Sequence, residues 1–337
     1  MNERWVETIP EHLRDTAETA VASAFGSPPV TSLQPVSGGA SGALTYRVEV
    51  DGRSSLLRME TRRGPLRNPH QYVCMQIAAD AGIAPPLRHA DDSAGVAILD
   101  FVIQRPLQEY PGGPVGLATA IGKLAANLQA APAFPELGDY RIFLDRMLGY
   151  VRKSFAPGLL DPHVEGFERI RQAYPWDNSA HVSSHNDPNP SNILFDGERL
   201  WLIDWETSYR NDPLTDVAIL TENFARTPDL EDVLLRSWLG GPPDRALRAR
   251  LVLMRQMTRL YYAGIILASF VGSPGAEPMT DLSAPNPVEF RAQLASGQLK
   301  MGTTEMKLVL GKIFLAGFLA SLNAPDFENA LAIAQGG

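Results

Sequence analysis

The sequence predicts an α+β fold of two unequal lobes, and three observations support this. Strand-like runs broken by turn residues occupy the first hundred positions. Helical periodicity dominates the remainder of the chain. The 337 residues, 45% of them hydrophobic, suffice to bury a large core. The division is expected at residue 103, with 1–103 as a β-rich N-terminal lobe and 104–337 as a mainly helical C-terminal lobe.

The elements justify this in order. An extended run over residues 31–36 leads into Ser37-Gly38-Gly39-Ala40-Ser41-Gly42, then a second run over 44–50, the turn pair Asp51-Gly52, and a third run over 54–59. Glycines let backbone N–H groups approach an anion without Cβ interference, and Ser37 and Ser41 can add hydroxyl donors. Taken alone, a Gly/Ser turn in a hairpin is commonplace. No Gly-Lys-Ser/Thr occurs, which argues against a Walker-type loop. A helix is expected over about 69–81 and a buried strand over 97–103, running into Gln104-Arg105-Pro106 as a linker. Helical patterns then cover 116–130, 141–155, 162–173, 212–226, 230–239, 244–271 and 303–322. Gly112-Gly-Pro and Gly240-Gly-Pro-Pro punctuate them, and Pro285, Pro287 and Pro325 are read as later stops.

The stretch from Ser184 to Glu206 carries the chemistry. His185-Asn-Asp187 is followed by Asn192 five residues after the Asp, and an apolar run ends at Ile203-Asp204-Trp205-Glu206. This spacing of proton- and metal-handling groups suits transfer of a nucleotide phosphate to a hydroxyl. Asp187 is the candidate base that accepts the hydroxyl proton. Asn192 and Asp204 offer the hard oxygen ligands that Mg²⁺ takes. Residues 192–195 and 200–203 flank Asp196-Gly197, a hairpin turn signal that would set Asn192 beside Asp204. Each residue has a plainer reading by itself: Asn192 capping a turn, Asp204 ending a strand, His185 a hydrogen-bonded loop histidine. The ordered set is what points to a kinase.

These residues, together with Asn211-x4-Asp216-Val-Ala, resemble the aminoglycoside phosphotransferase and choline kinase superfamily, small-molecule kinases with a protein-kinase-like two-lobed fold. The resemblance implies ATP or GTP and Mg²⁺ as cofactors and a small-molecule alcohol as acceptor, either a choline-like amino alcohol or an aminoglycoside-type antibiotic. It makes 1–103 a nucleotide-clamping lobe and 104–337 a catalytic and substrate-binding lobe. It assigns Asp187 as base, Asn192 and Asp204 as metal ligands, Glu206 as a third acid close to the metals, and Asp216 as a brace of the catalytic loop; His185 is read from its own place as a side chain that ties that loop down through hydrogen bonds. Ser37, Gly38, Gly39, Ser41 and Gly42 would cover the phosphates. Main chain at Asp100, Phe101 and Val102 would read the base.

Two departures stand out. The third strand usually carries Lys in this family, and here it carries Arg58, a planar fork rather than a point charge; a solvated strand arginine is the plainer alternative. The helix over 69–81 has no Glu to pair with that cation, and Gln71 is the nearest polar substitute. Acceptor choice is expected on Tyr209, Glu222 and Tyr261, an aromatic and acidic mixture suited to a cationic amine, although aromatics at helical spacing are commonly core.

Composition narrows the remaining classes. A single Cys74 excludes an intramolecular disulfide framework and a cysteine zinc cluster. Net charge of −8 argues against a nucleic-acid partner. No apolar leader opens the sequence and no apolar stretch is long enough for a span, so no membrane is expected and a cytoplasmic location is. Two alternatives stay open: a regulatory pseudokinase lacking the helix Glu, and a protein kinase. The second is disfavoured because Asp204-Trp205-Glu206 stands where Asp-Phe-Gly would.

Overall fold

The computed structural model describes residues 5–26, 29–36, 43–61, 67–271 and 277–336. The glycine-rich segment 37–42, with Ser37, Gly38, Gly39, Ser41 and Gly42, lies outside them. Helix α1 (Arg14–Phe25) precedes a five-stranded antiparallel sheet of β1 (Val30–Pro35), β2 (Ala43–Val50), β3 (Arg53–Glu60), β4 (Leu87–Asp91) and β5 (Val96–Asp100), in the order β1-β2-β3-β5-β4. Asp51 and Gly52 both take positive φ, 53° and 74°, the two-residue turn whose twist matches antiparallel strands. Alternation then sends Val48, Val50, Leu57, Met59, Val96 and Ile98 to one face, where they pack with Ala17, Ala20 and Val21 of α1. Arg58 is left on the other face.

Helix α2 (Gln71–Asp80) lies between β3 and β4 in the chain. Strand β4, Leu-Arg-His-Ala-Asp, has no apolar alternation to announce it. It forms by pairing its backbone to the buried β5. The strand expected over 97–103 stops at Asp100.

The remaining helices are α3 (Gly113–Ala130), α4 (Tyr140–Val151), α5 (Asp161–Ala173), α6 (Leu214–Phe224), α7 (Pro228–Leu239), α8 (Arg245–Ala268), α9 (Pro287–Ala295), α10 (Thr304–Leu322) and α11 (Pro325–Gln335). Pro325 follows the end of α10 at Leu322 as expected, and like Pro287 it also occupies the first turn of a further helix, where a missing N–H is harmless. Asn286 and Glu289 complete a reciprocal cap on α9. Short strands β6 (Val182–Ser184) and β9 (Tyr209–Asn211) pair antiparallel, as do β7 (Ile193–Phe195) and β8 (Leu200–Leu202). Among the described residues no single helix is long and apolar enough to cross a membrane.

Two compact units are distinguished. The first comprises Met1–Leu137, His181–Asp216 and Asn223–Gly241, so the sheet and the segment with the catalytic motif belong to it together. The second comprises Gly138–Ala180, Val217–Glu222 and Pro242–Gly337, with α8 packed against α4, α10 and α11.

Within the first unit α3 and α7 meet at Gly122, where an added Cβ would stand 2.4 Å from the Leu234 carbonyl oxygen. Alanine in a helix interior ordinarily stabilises by about 1 kcal/mol over glycine. Gly122→Ala is expected to destabilise by about 1–3 kcal/mol instead, because backbone cannot step aside. Denaturant melting measures this, and wild-type stability in the variant would contradict the close crossing.

Candidate active site

The hairpin of β7 and β8 is built by its turn. The Asp196 carboxylate accepts the N–H groups of Glu198 and Arg199, both at 2.8 Å, and Gly197 takes φ of 105°. Pairing of Ile193 with Leu202 brings the two ends together, and Ile203 N donates to Asn192 O at 3.0 Å. Asn192 and Asp204 therefore sit at adjacent ends of one small structure. Asp204 itself takes φ of 66°, a left-handed conformation uncommon for a residue with a Cβ.

The loop before the hairpin is held from inside. The buried carboxylate of Asp216, at the start of α6, accepts the backbone N–H of His185 at 2.8 Å and of Asn186 at 2.7 Å. Burial raises Asp216 to about 6, against the lowering effect of those donors. The His185 ring is fully buried, 2.8 Å from the Ile203 carbonyl and 4.8 Å from the Trp205 ring. Nε2 carries the proton there, since a carbonyl only accepts. Burial pushes the imidazole down to about 4, so it is neutral at ordinary pH.

Asp187 is half-buried at the end of this loop. Its carboxylate accepts from Asn189 Nδ2 at 2.9 Å and from Asn192 Nδ2 at 3.3 Å, and its backbone carbonyl accepts from the same Asn192 amide at 2.9 Å. With its nitrogen so engaged, Asn192 keeps Oδ1 for another partner; among the described residues only Ser191 Oγ, at 3.5 Å, reaches it. Asp204 Oδ1 is buried with no hydrogen-bond partner among the described residues. Two hard oxygens left open beside a carboxylate fit a cation such as Mg²⁺, which takes few protein ligands and completes its shell with water and phosphate. No group of three or more His, Cys, Asp or Glu that could hold a metal occurs among the described residues.

Arg58 is 6% exposed and turns toward this segment. Its Nη2 donates to Glu206 Oε1 and lies 3.9 Å from Asp204 Oδ1. Burial raises both carboxyls and Arg58 opposes the rise. The suggested Arg58–Gln71 contact does not form. Gln71 instead donates to Glu60 at 2.5 Å, and Arg67 holds the same carboxylate at 2.7 and 3.0 Å. Arg58 and Glu60 share a strand face, and each carboxylate takes the cation that reaches it.

At residues 100–102 the main chain is partly used. Asp100 N donates to Pro86 O at 2.9 Å and Phe101 N to Ser54 O at 3.1 Å, while the Asp100 side chain grips Arg88 twice at 2.6 Å. Among the described residues no acceptor takes the Val102 N–H. Of the acceptor candidates, Tyr209 lies on β9, opposite Ser184 in the first unit. Glu222 is ion-paired with Arg259, and Tyr261 is buried against Tyr140 and Phe143, all in the second unit. Trp205 is 1% exposed and packs on Phe134 and His185.

Several residues essential to this geometry carry no chemical signature. Asn186, at φ of 63°, donates to Thr207 O at 3.0 Å and accepts from Asn211 at 2.8 Å. Its only signal was residue type, since Asn tolerates left-handed backbone. Asn68 Nδ2 and the Cys74 thiol both reach the Ser208 carbonyl, at 2.7 and 3.3 Å, tying the start of α2 to the segment after Glu206. Nothing local could have announced that clasp.

The family model described as phosphotransferase enzyme family matches residues 32–250. Protein LicA of Haemophilus influenzae is 43% identical over 54 residues, 16% of this chain and 20% of that protein. The chain spans only 16% and 20% of the lengths of the curated relatives it matches. A choline/ethanolamine kinase family protein from Mesorhizobium loti superposes with a TM-score of 0.68 at 23% identity, over 96% of this chain and 100% of that one. A spectinomycin phosphotransferase solved with ADP and spectinomycin gives 0.55 at 12% identity, over 95% and 97%. Such likeness establishes the kinase-like α+β fold.

Proposed function

The chain belongs to the phosphotransferase enzyme family, and on that premise we propose that it moves the terminal phosphate of ATP, or of GTP, to a hydroxyl of a small molecule. The observation that carries this is the assembly of Asp187, Asn192 and Asp204 on one braced loop and hairpin, with open oxygens on the last two. Asp187 would aim the acceptor hydroxyl and take its proton as the new O–P bond forms and the bond to the departing nucleoside diphosphate breaks. Asn192 and Asp204 would hold Mg²⁺, which neutralises charge on the phosphate oxygens. In this reading residues 1–103 clamp the nucleotide, with the Val102 N–H left to read its base, and 104–337 carry the catalytic and acceptor groups.

A choline-like amino alcohol is the acceptor class to test first and an aminoglycoside-type antibiotic the second, since proteins of similar fold are described as choline/ethanolamine kinase family and spectinomycin phosphotransferase. Glu222 is already neutralised by Arg259, so it adds little toward a polycation. The pseudokinase alternative loses support from the complete Asp187, Asn192 and Asp204 set.

Release of ADP by the purified protein with Mg²⁺ and ATP is expected to rise when one of choline, ethanolamine or spectinomycin-like alcohols is added. Stimulation by a peptide and by none of the alcohols would overturn the small-molecule reading. Binding of nucleotide with no turnover on any acceptor would favour the pseudokinase.

A further inference from the structure

The acid that should hold the strand cation is missing from α2, whose only carboxylate is Asp80 at its last position. Gln71 is committed to Glu60, and Glu60 to Arg67. The partner of Arg58 comes instead from 148 residues further along the chain, as Glu206. Among the described residues only one arm of the guanidinium is used. Nη2 meets Glu206, while Nη1 is buried and has no hydrogen-bond partner among the described residues. A charged N–H left unsatisfied in the interior costs more than a neutral one. Such a cost persists where a ligand satisfies the group.

Resting on the nucleotide-dependent reading above, we propose that Glu206 is the positioning partner of Arg58, fixing Nη2 so that Nη1 is presented to a phosphate oxygen of the nucleotide. The groups facing Arg58 fit this division. Asp204 Oδ1 stands 3.9 Å from Nη2 and stays open for a cation, and Glu60 is taken up by Arg67 and Gln71. Arginine rather than lysine follows from the arrangement. A fork can bond an acid with one prong and a phosphate with the other in a fixed plane, whereas an ammonium on a flexible stem offers no such fixed pair. The segment that bears the metal-binding Asp204 thereby also orders the phosphate-binding cation of the sheet.

ADP binding measured by calorimetry in EDTA isolates this role, because without a divalent ion Glu206 cannot act as a metal ligand. Coulomb's law alone says that removing a carboxylate near a phosphate tightens binding. Positioning says the reverse. Glu206→Gln is expected to weaken metal-free ADP binding about tenfold, and Arg58→Lys about tenfold although it keeps the charge. The double variant is expected to lose about tenfold rather than about a hundredfold, because both changes break one unit. Unchanged or tighter ADP binding by Glu206→Gln, wild-type affinity in Arg58→Lys, or losses that multiply would each overturn the proposal. Should Glu206→Gln not fold, the Arg58→Lys arm decides alone. A wild-type protein that binds no ADP even with Mg²⁺ defeats the nucleotide reading and this inference together, whereas binding by the wild type with multiplying losses defeats only the inference.

Discussion

Asp187→Ala is expected to lower kcat by about 10²–10⁴-fold, the usual contribution of a positioned general base, with nucleotide affinity and melting temperature near wild type. The separation of effects follows from the contacts. The Asp187 carboxylate accepts from the amides of Asn189 and Asn192, and Asn192 remains held by the Asp187 backbone carbonyl at 2.9 Å when the side chain is removed. The open Asn192 oxygen therefore keeps its place. Single-turnover kinetics with the responding acceptor, beside ADP titration of the same sample, provide the check. A kcat within tenfold of wild type would remove Asp187 from the role of base, and lost ADP binding would make it a structural residue.

Asp216→Ala is expected to cost about 2–5 kcal/mol of stability at pH 7, because the N–H groups of His185 and Asn186 lose their acceptors in a fully buried place. The pH dependence has a definite sign. Asp216 is raised from 3.8 to about 6, so its folded state binds a proton more readily than its unfolded one. That contribution is fully present below the unfolded value and is lost as pH rises through about 6. The gap between wild type and variant should consequently widen on acidification from pH 7 toward pH 4, by at most about 3 kcal/mol. Urea melts of both proteins at pH 7 and pH 5 measure it. A gap that stays level or narrows would mean that the hydrogen bonds to Asp216, and not its burial, govern its protonation.

Much of the centre was legible because its chemistry is local in sequence. Asp196-Gly197 sets the turn, the turn sets the register of Ile193 with Leu202, and the register brings Asn192 to Asp204. Every step lies within a few residues of the last. The five-stranded sheet was mostly legible for the same reason, through alternation and the Asp51-Gly52 turn. Strand β4 was not, since an edge strand of mixed polarity owes its existence to the neighbour it pairs with. Helices α9 and α11 were hidden by their prolines, which carry opposite meanings at the first turn and in the interior of a helix.

The sequence by itself determined which residues could handle a proton, a phosphate and a cation, because spacing along a short loop and hairpin translates directly into distance. Only the tertiary structure decided which charges meet. Glu206 rather than a residue of α2 answers Arg58, Gln71 turns to Glu60, and the Ser208 carbonyl is clasped from Asn68 and Cys74. Ion pairs and buried hydrogen bonds depend on separation in space and on exclusion of water, and chain separations of 148 and 140 residues carry no information about either.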